Sequence, residues 1–233
     1  MSGAAPTDPL PARLREVARH VLAGEPMADI GTDHALLPTC LVHEGTVPSA
    51  VAIDSRPGPL EHARATIKDF GVGNVDVRLG NGLLALRPGE AATVVLAGLG
   101  GAKIMALVDA WPASSALPRL IVQPNTDWAR VRRWVAQRGF GLEAETMLYG
   151  GGHFYITLVL SPNVQTVHPW ADDHDAWVMG PLLRHQRPAV WWAWIDAERK
   201  RLQRALGRAR GAGASELGEL EQSLARLSRY VRA

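Results

Sequence analysis

Hydrophobic and polar positions follow two rhythms along this chain. As far as about residue 160, short apolar runs alternate with segments whose apolar residues recur every three or four positions; near the end only the helical rhythm remains. Within residues 11–22, Leu14, Val17, Ala18, Val21 and Leu22 lie at helical spacing, with Arg13, Arg15, Glu16 and Arg19 on the other side, which predicts an amphipathic first helix. Residues 27–31 read as an apolar strand ending in Gly31, and 36–44 as a helix with Pro38 in its first turn. A second strand at 50–53 closes on Asp54 and precedes a helix over 59–70 that ends at Gly71. Three more strands are predicted at 75–79, 93–97 and 119–123, the last followed by a helix over about 127–138.

The rhythm then changes. Two extended segments, 142–149 and 153–160, are separated by Gly150-Gly151-Gly152, which is hairpin spacing rather than a crossover. Five parallel strands alternating with helices, closed by an antiparallel hairpin, give a seven-stranded, doubly wound α/β sheet of Rossmann-like type. Residues 161–169 carry two prolines and no period, so a boundary is expected there, with domains at 1–165 and 166–233. Beyond it, residues 188–210 show Trp191, Ile195, Leu202, Leu206 and Ala209 at helical intervals before the break Gly211-Ala212-Gly213. Ser215 reads as the N-cap of a second helix, in which Leu217, Leu220, Leu224, Leu227 and Val231 alternate by three and four. These two segments predict a C-terminal coiled-coil hairpin whose narrow stripes bury one another, removable from the α/β core; the alternative is two helices lying flat on that core.

Of 233 residues, 47% are hydrophobic and 21% charged, which suffices for a real core and excludes wholesale disorder. No run approaches the length of a membrane span, and the N-terminus lacks a basic stretch feeding an apolar one, so a cytoplasmic protein is expected. The single cysteine, Cys40, cannot make an internal disulfide or a zinc site unaided and is expected in the core. Charge is uneven. Residues 1–183 hold 14 Lys and Arg against 18 Asp and Glu, whereas residues 184–233 hold 11 against 5, so a net +6 gathers on the helical segment. That asymmetry suits either a polyanionic partner or a solvated helix face.

Ligands of doubly wound sheets bind beyond the carboxyl ends of the strands, so the residues there carry the candidate chemistry. After strand one comes Asp29-Ile30-Gly31-Thr32-Asp33-His34-Ala35, with one glycine where a dinucleotide fingerprint has three and with Asp33 placed to repel a phosphate. The ligand is better matched by something without phosphate and cationic. Asp54, with Ser55 beside it, is placed to accept hydrogen bonds from ribose hydroxyls; Asn81, followed by Gly82, is placed to read an adenine edge. Ala97-Gly98-Leu99-Gly100-Gly101 gives a substrate base room to approach. Each is also explicable as a turn: Asp54 and Asn81 as surface turn residues, the glycines as a helix-entering turn, Asp33 as a helix cap.

As a set, the glycine loop, ribose carboxylate and adenine-side amide resemble a class I S-adenosylmethionine-dependent methyltransferase. Within that class, the stretch from Ala28 through Asp29, Gly31, Asp33 and His34 to Pro38 resembles the signature of the bacterial TrmK family, the tRNA (adenine-N1)-methyltransferases acting in the D-arm region. Ala97-Gly98-Leu99-Gly100-Gly101, Gln123-Pro124-Asn125, Arg13-Leu14 and Gly180-Pro181-Leu182-Leu183 fit it as well, and so does a C-terminal coiled coil. The resemblance implies S-adenosylmethionine held by Asp29, Gly31, Asp54, Ser55, Asn81, Gly82, Ala97 and Gly98. It also implies tRNA as partner and catalysis by Asp33, with His34 as a positioning group. Gly100, Gly101 and Asn125 are expected near the target base, and Arg13 on the first helix, with Arg199, Lys200, Arg201 and Arg204, on RNA phosphates. No metal is expected; the oligomeric state is left open, with a monomer as default. Alternative functions are methyl transfer to another substrate or a non-catalytic RNA-binding adaptor.

Overall fold

The computed structural model describes residues 9–162, 166–209 and 214–230. Among them run α1 (Ala12–Ala18), β1 (Met27–Ile30), α2 (Leu36–His43), β2 (Ala50–Asp54), α3 (Pro57–Phe70) and β3 (Val75–Leu79). They continue with β4 (Thr93–Leu99), α4 (Gly101–Asp109), β5 (Arg119–Pro124), α5 (Trp128–Gln137), β6 (Gly141–Gly150) and β7 (His153–Ser161). Four helices close the chain: α6 (His174–Met179), α7 (Leu183–Gln186), α8 (Ala189–Arg208) and α9 (Ala214–Ser228). The strands form one seven-stranded sheet in the order β3-β2-β1-β4-β5-β7-β6, with only β7 antiparallel to its neighbours.

Alternation along the central strands divides the core between the two faces of the sheet. Val94, Leu96, Leu120 and Val122 face one apolar cluster, to which α4, α5 and the C-terminal helices contribute. Val95 and Ile121 face the other, where α1 to α3 pack and where Cys40 is buried. No helix among the described residues is long and apolar enough to cross a membrane.

Several elements differ from their sequence reading. The first helix stops at Ala18, because His20 and Val21 donate to carbonyls three residues back and tighten the chain into turns. The third helix starts two residues early, with Pro57 in its first turn. The short α6 and α7 lie between residues 169 and 188, where the sequence reading placed no individual element. Asp173 caps α6 by accepting from the Ala176 N–H at 3.1 Å. Ser215 lies inside α9 rather than before it, while Gly211 to Gly213 and Val231 fall outside the described residues.

The two stripes do not satisfy only each other. Trp191 is fully buried, its indole N–H donates to the Met179 carbonyl at 2.8 Å, and Ile195 and Leu202 join the same cluster as the sheet. Tyr230 closes edge-on over Trp191, with ring centroids 5.5 Å apart. The root of the hairpin is therefore part of the core, which argues against removing it without loss of stability. A buried ion pair fastens the α6–α7 corner as well: Arg132 Nε donates to Glu145 Oε1 at 2.6 Å, and both side chains are almost fully buried. Glu145 Oε2 accepts the N–H groups of Leu182 and Leu183, while Arg132 donates to the carbonyls of Trp177 and Val178. Removing one member of such a pair leaves a buried charge uncompensated, at a cost of about 3–5 kcal/mol.

Candidate active site

β1 and β4 lie side by side while their successors depart to opposite edges, so a crevice opens beyond their carboxyl ends. Gly31 forms its floor. Its φ of +77° is a left-handed conformation that suits glycine, and a Cβ there would meet Leu99 Cδ2 at 3.0 Å. The N–H groups of Gly31 and Thr32 both reach the Ile53 carbonyl, at 2.8 and 3.1 Å, which binds the turn to β2. On one side of Gly31 an open cleft of about 390 Å³ is lined by Arg13, Asp29, Asp33, His34, Ala97 and Gly98. On the other, a small second pocket touches Asp54, Ser55, Asn81 and Gly82. Eight expected cofactor residues and three expected substrate or catalytic residues thus line two pockets that share Gly31.

The carboxylates there sit in contrasting environments. Asp29 is buried in the last turn of backbone before Gly31; burial pushes its pKa from 3.8 up to about 6, while Thr32 and the Arg13 guanidinium pull the other way. Asp54, the final residue of β2, is buried too, and its Oδ1 accepts from the Arg56 backbone N–H at 2.8 Å and from Arg56 Nε at 3.4 Å. Asp33 is 71% exposed, with His34 Nε2 3.4 Å from its Oδ2. The reading of Asp33 as a cap is not what the backbone shows: the N-cap of α2 is Ala35, in the left-handed region at φ +50°, with no side-chain bond to the helix. Left-handed non-glycine residues are strained and gather at functional sites; Asp127, at φ +61° in the turn after β5, is another.

Gly98 makes the bulge at which the β4–β5 register shifts, and the Arg13 guanidinium would lie 3.6 Å from a Cβ placed on it. Asn125 holds this bulge: its side-chain amide donates to the Gly98 carbonyl at 2.7 Å and its backbone N–H to Leu99 at 2.8 Å. The amide expected to touch a base is thereby engaged with backbone. Gly100 precedes α4, but Gly101 is buried against α5, where a Cβ would strike the Thr126 carbonyl at 2.7 Å; close helix packing, not open space for a base, explains that glycine.

Two residues that sequence reasoning did not assign hold Arg13 in place. Gln123, 1% exposed, accepts from Arg13 Nη1 at 3.3 Å and donates to the Arg13 carbonyl and to Thr157 Oγ1. Tyr155 offers its ring to the Arg13 guanidinium at 5.9 Å. A polar residue at the end of the run Leu120-Ile121-Val122 was the available signal for Gln123; Tyr155 reaches the site only through the antiparallel course of β7. Arg199, Lys200, Arg201 and Arg204 lie apart from the cleft on α8. Arg201 is paired with Glu198 at 2.6 Å and Arg199 approaches Asp196 at 3.9 Å.

Residues 10–158 match the family described as Methyltransferase domain. The chain is 32% identical over 191 residues to the tRNA (adenine(22)-N(1))-methyltransferase of Bacillus subtilis (strain 168), covering 77% of this chain and 76% of that protein. This chain belongs to the tRNA (adenine-N1)-methyltransferase family. The solved B. subtilis member, the m1A22 tRNA methyltransferase TrmK, superposes with a TM-score of 0.82 at 28% identity over 94% of this chain and 97% of that one. Streptococcus pneumoniae Sp1610, solved in complex with S-adenosyl-L-methionine, gives 0.82 at 28% identity over 94% and 98%. The family likeness runs through both the sheet and the C-terminal helices, since coverage reaches beyond the matched domain.

Proposed function

We propose that this protein is a cytoplasmic, S-adenosylmethionine-dependent methyltransferase that methylates N1 of an adenine in the D-arm region of tRNA. The observation that carries the reading is the convergence of Asp29, Asp33 and Asp54 on the Gly31 floor, in a chain whose relatives act on tRNA and bind this cofactor. The donor set fits the cofactor by its chemistry: an acidic cleft with one floor glycine suits a cationic, phosphate-free nucleoside. When bound, S-adenosylmethionine supplies an electrophilic methyl group on a sulfonium.

Asp54, oriented by Arg56, accepts from the ribose hydroxyls, and Asn81 with Gly82 faces the cofactor's adenine. Asp29 and the cleft's negative charge favour the cationic end. Adenine N1 attacks with a lone pair and needs no proton removed, so Asp33 acts electrostatically on the positive charge that moves onto the target base. His34 positions that carboxylate, and Arg13, braced by Gln123 and Tyr155, borders the base. Lys200, Arg204 and Arg208 are exposed on α8 with no ion pair recorded among the described residues; with Arg199 and Arg201 they meet RNA phosphates. Such contacts position RNA by shape, and the target base must leave its stack to be reached.

Incubation of unmodified tRNA with S-adenosylmethionine, followed by nucleoside mass spectrometry and mapping, tests the reading directly. N1-methyladenosine at a D-arm position is expected. Asp33→Ala should lower single-turnover methylation about 100-fold or more while leaving cofactor affinity near that of the wild type. No thermal shift with S-adenosylmethionine would instead favour an RNA-binding adaptor.

A further inference from the structure

We infer that Asp33, His34 and His62 form a binding site for a transition-metal cation of the Zn²⁺ and Co²⁺ class at the lip of the cleft. His62 lies on the second turn of α3 and has no part in the proposed chemistry, yet its imidazole stacks on that of His34 with centroids 4.8 Å apart and planes 15° apart. Asp33 Oδ2 stands 3.4 Å from His34 Nε2, and one ligand atom from each of the three residues lies within 4.8 Å of the others. Among the described residues this is the one such trio of His, Cys, Asp or Glu.

Two imidazoles and a carboxylate match the ligand preferences of Zn²⁺, Co²⁺, Ni²⁺ and Cu²⁺, and do not suit Mg²⁺ or Ca²⁺, which call for oxygen donors throughout. Tetrahedral bonds of about 2.1 Å set ligand atoms about 3.4 Å apart, so closure asks for a contraction of at most about 1.4 Å among exposed side chains that are free to rotate. The donors come from two elements, the β1–α2 turn and α3, so a bound cation ties one to the other. Three protein ligands leave a coordination position open to solvent. The consequence for catalysis rests on the role proposed for Asp33: a cation held there occupies the carboxylate that would face the base, so the metal inhibits methyl transfer and takes no step in it.

Tag-free protein, without tRNA or cofactor, should be titrated with Zn²⁺ by calorimetry and with Co²⁺ by visible absorption. One cation per chain, bound more tightly than about 10 µM, is expected. His62→Ala, a substitution on an exposed helix face that suits alanine, should weaken binding at least tenfold, whereas His153→Ala at the start of β7, outside the trio, should leave it unchanged. The site is disproved if the wild type shows no saturable binding up to about 100 µM, or if His62→Ala titrates as the wild type does. Methylation assays then separate the two ideas: Zn²⁺ should inhibit the wild type at concentrations that spare His62→Ala, whose metal-free rate is normal. Binding that depends on His62 without such inhibition upholds the metal site and rejects the catalytic role of Asp33.

Discussion

Asp29 shows how a binding residue strains the fold that presents it. Its pKa in the folded chain, about 6, lies above the ordinary value of 3.8, so the folded state holds the proton more firmly than the unfolded one between those two values. The penalty of keeping the charge buried is thus complete above about pH 6 and fades as pH falls toward 4. Asp29→Asn should stabilise the cofactor-free protein at pH 8 by on the order of 2–3 kcal/mol, and the gap to wild type should close near pH 4. Denaturant midpoints at the two pH values measure this; the same variant should bind S-adenosylmethionine more weakly. Asp54→Ala belongs to a different class, since that carboxylate is held by the Arg56 backbone N–H and guanidinium. Loss of its two expected charge-assisted bonds to the ribose should reduce cofactor affinity by about 1.5–3 kcal/mol each, with the fold intact. Equal calorimetric affinities for variant and wild type would exclude it from the site. Both aspartates could be picked out from the sequence because each stands at or beside the carboxyl end of a short apolar run, where doubly wound sheets place their ligands. Tyr155 could not: its place beside Arg13 depends on which strand lies beside β5, and no local pattern carries that.

Among the elements, the strands and the longer helices were read from the sequence, whereas the shortest helices were not. Strands of four to seven residues stood out because both their faces are buried, which turns them into continuous apolar runs. Helices α6 and α7, six and four residues long, have too few turns for a period to emerge, and their caps were hidden among polar residues. Helix α8 mixes two tasks. Trp191, Ile195 and Leu202 make its buried stripe, while Lys200, Arg204 and Arg208 recur every four residues on an exposed face. Sequence periodicity identified the stripe but not its partner, because a helix that packs on a second helix and one that packs on a sheet share the same spacing. Trp191→Ala should therefore act on the whole domain: a loss of about 3–5 kcal/mol is expected, from the cavity and from the Met179 carbonyl left without its donor. A thermal melt that keeps the wild-type midpoint while only tRNA binding falls would restore the hairpin to independence.

At the scale of the molecule, charge and chemistry are segregated: an acidic catalytic unit carries a basic arm. Replacing Arg199, Lys200, Arg201 and Arg204 together by glutamine should weaken tRNA binding and flatten its salt dependence while cofactor affinity stays constant. The slope should fall by less than one unit per residue, because Arg201 and Arg199 already have acidic neighbours on their own helix. Binding measured from low to high salt tests this, and an unaltered slope would move the RNA surface to α1.

Trp194 packs on Trp128 with centroids 6.2 Å apart, and the Trp128 indole is itself bonded to the carbonyl of Pro124, the last residue of β5. The arm consequently starts from a fixed point at the carboxyl end of the sheet. Arg208 lies 14 residues beyond Trp194, about 21 Å along a continuous helix. On the RNA contacts proposed above, a molecule built this way would work as a caliper, with the cleft as one jaw and the basic ridge as the other, selecting a nucleotide by how far it stands from a particular stretch of backbone rather than by the letters in between.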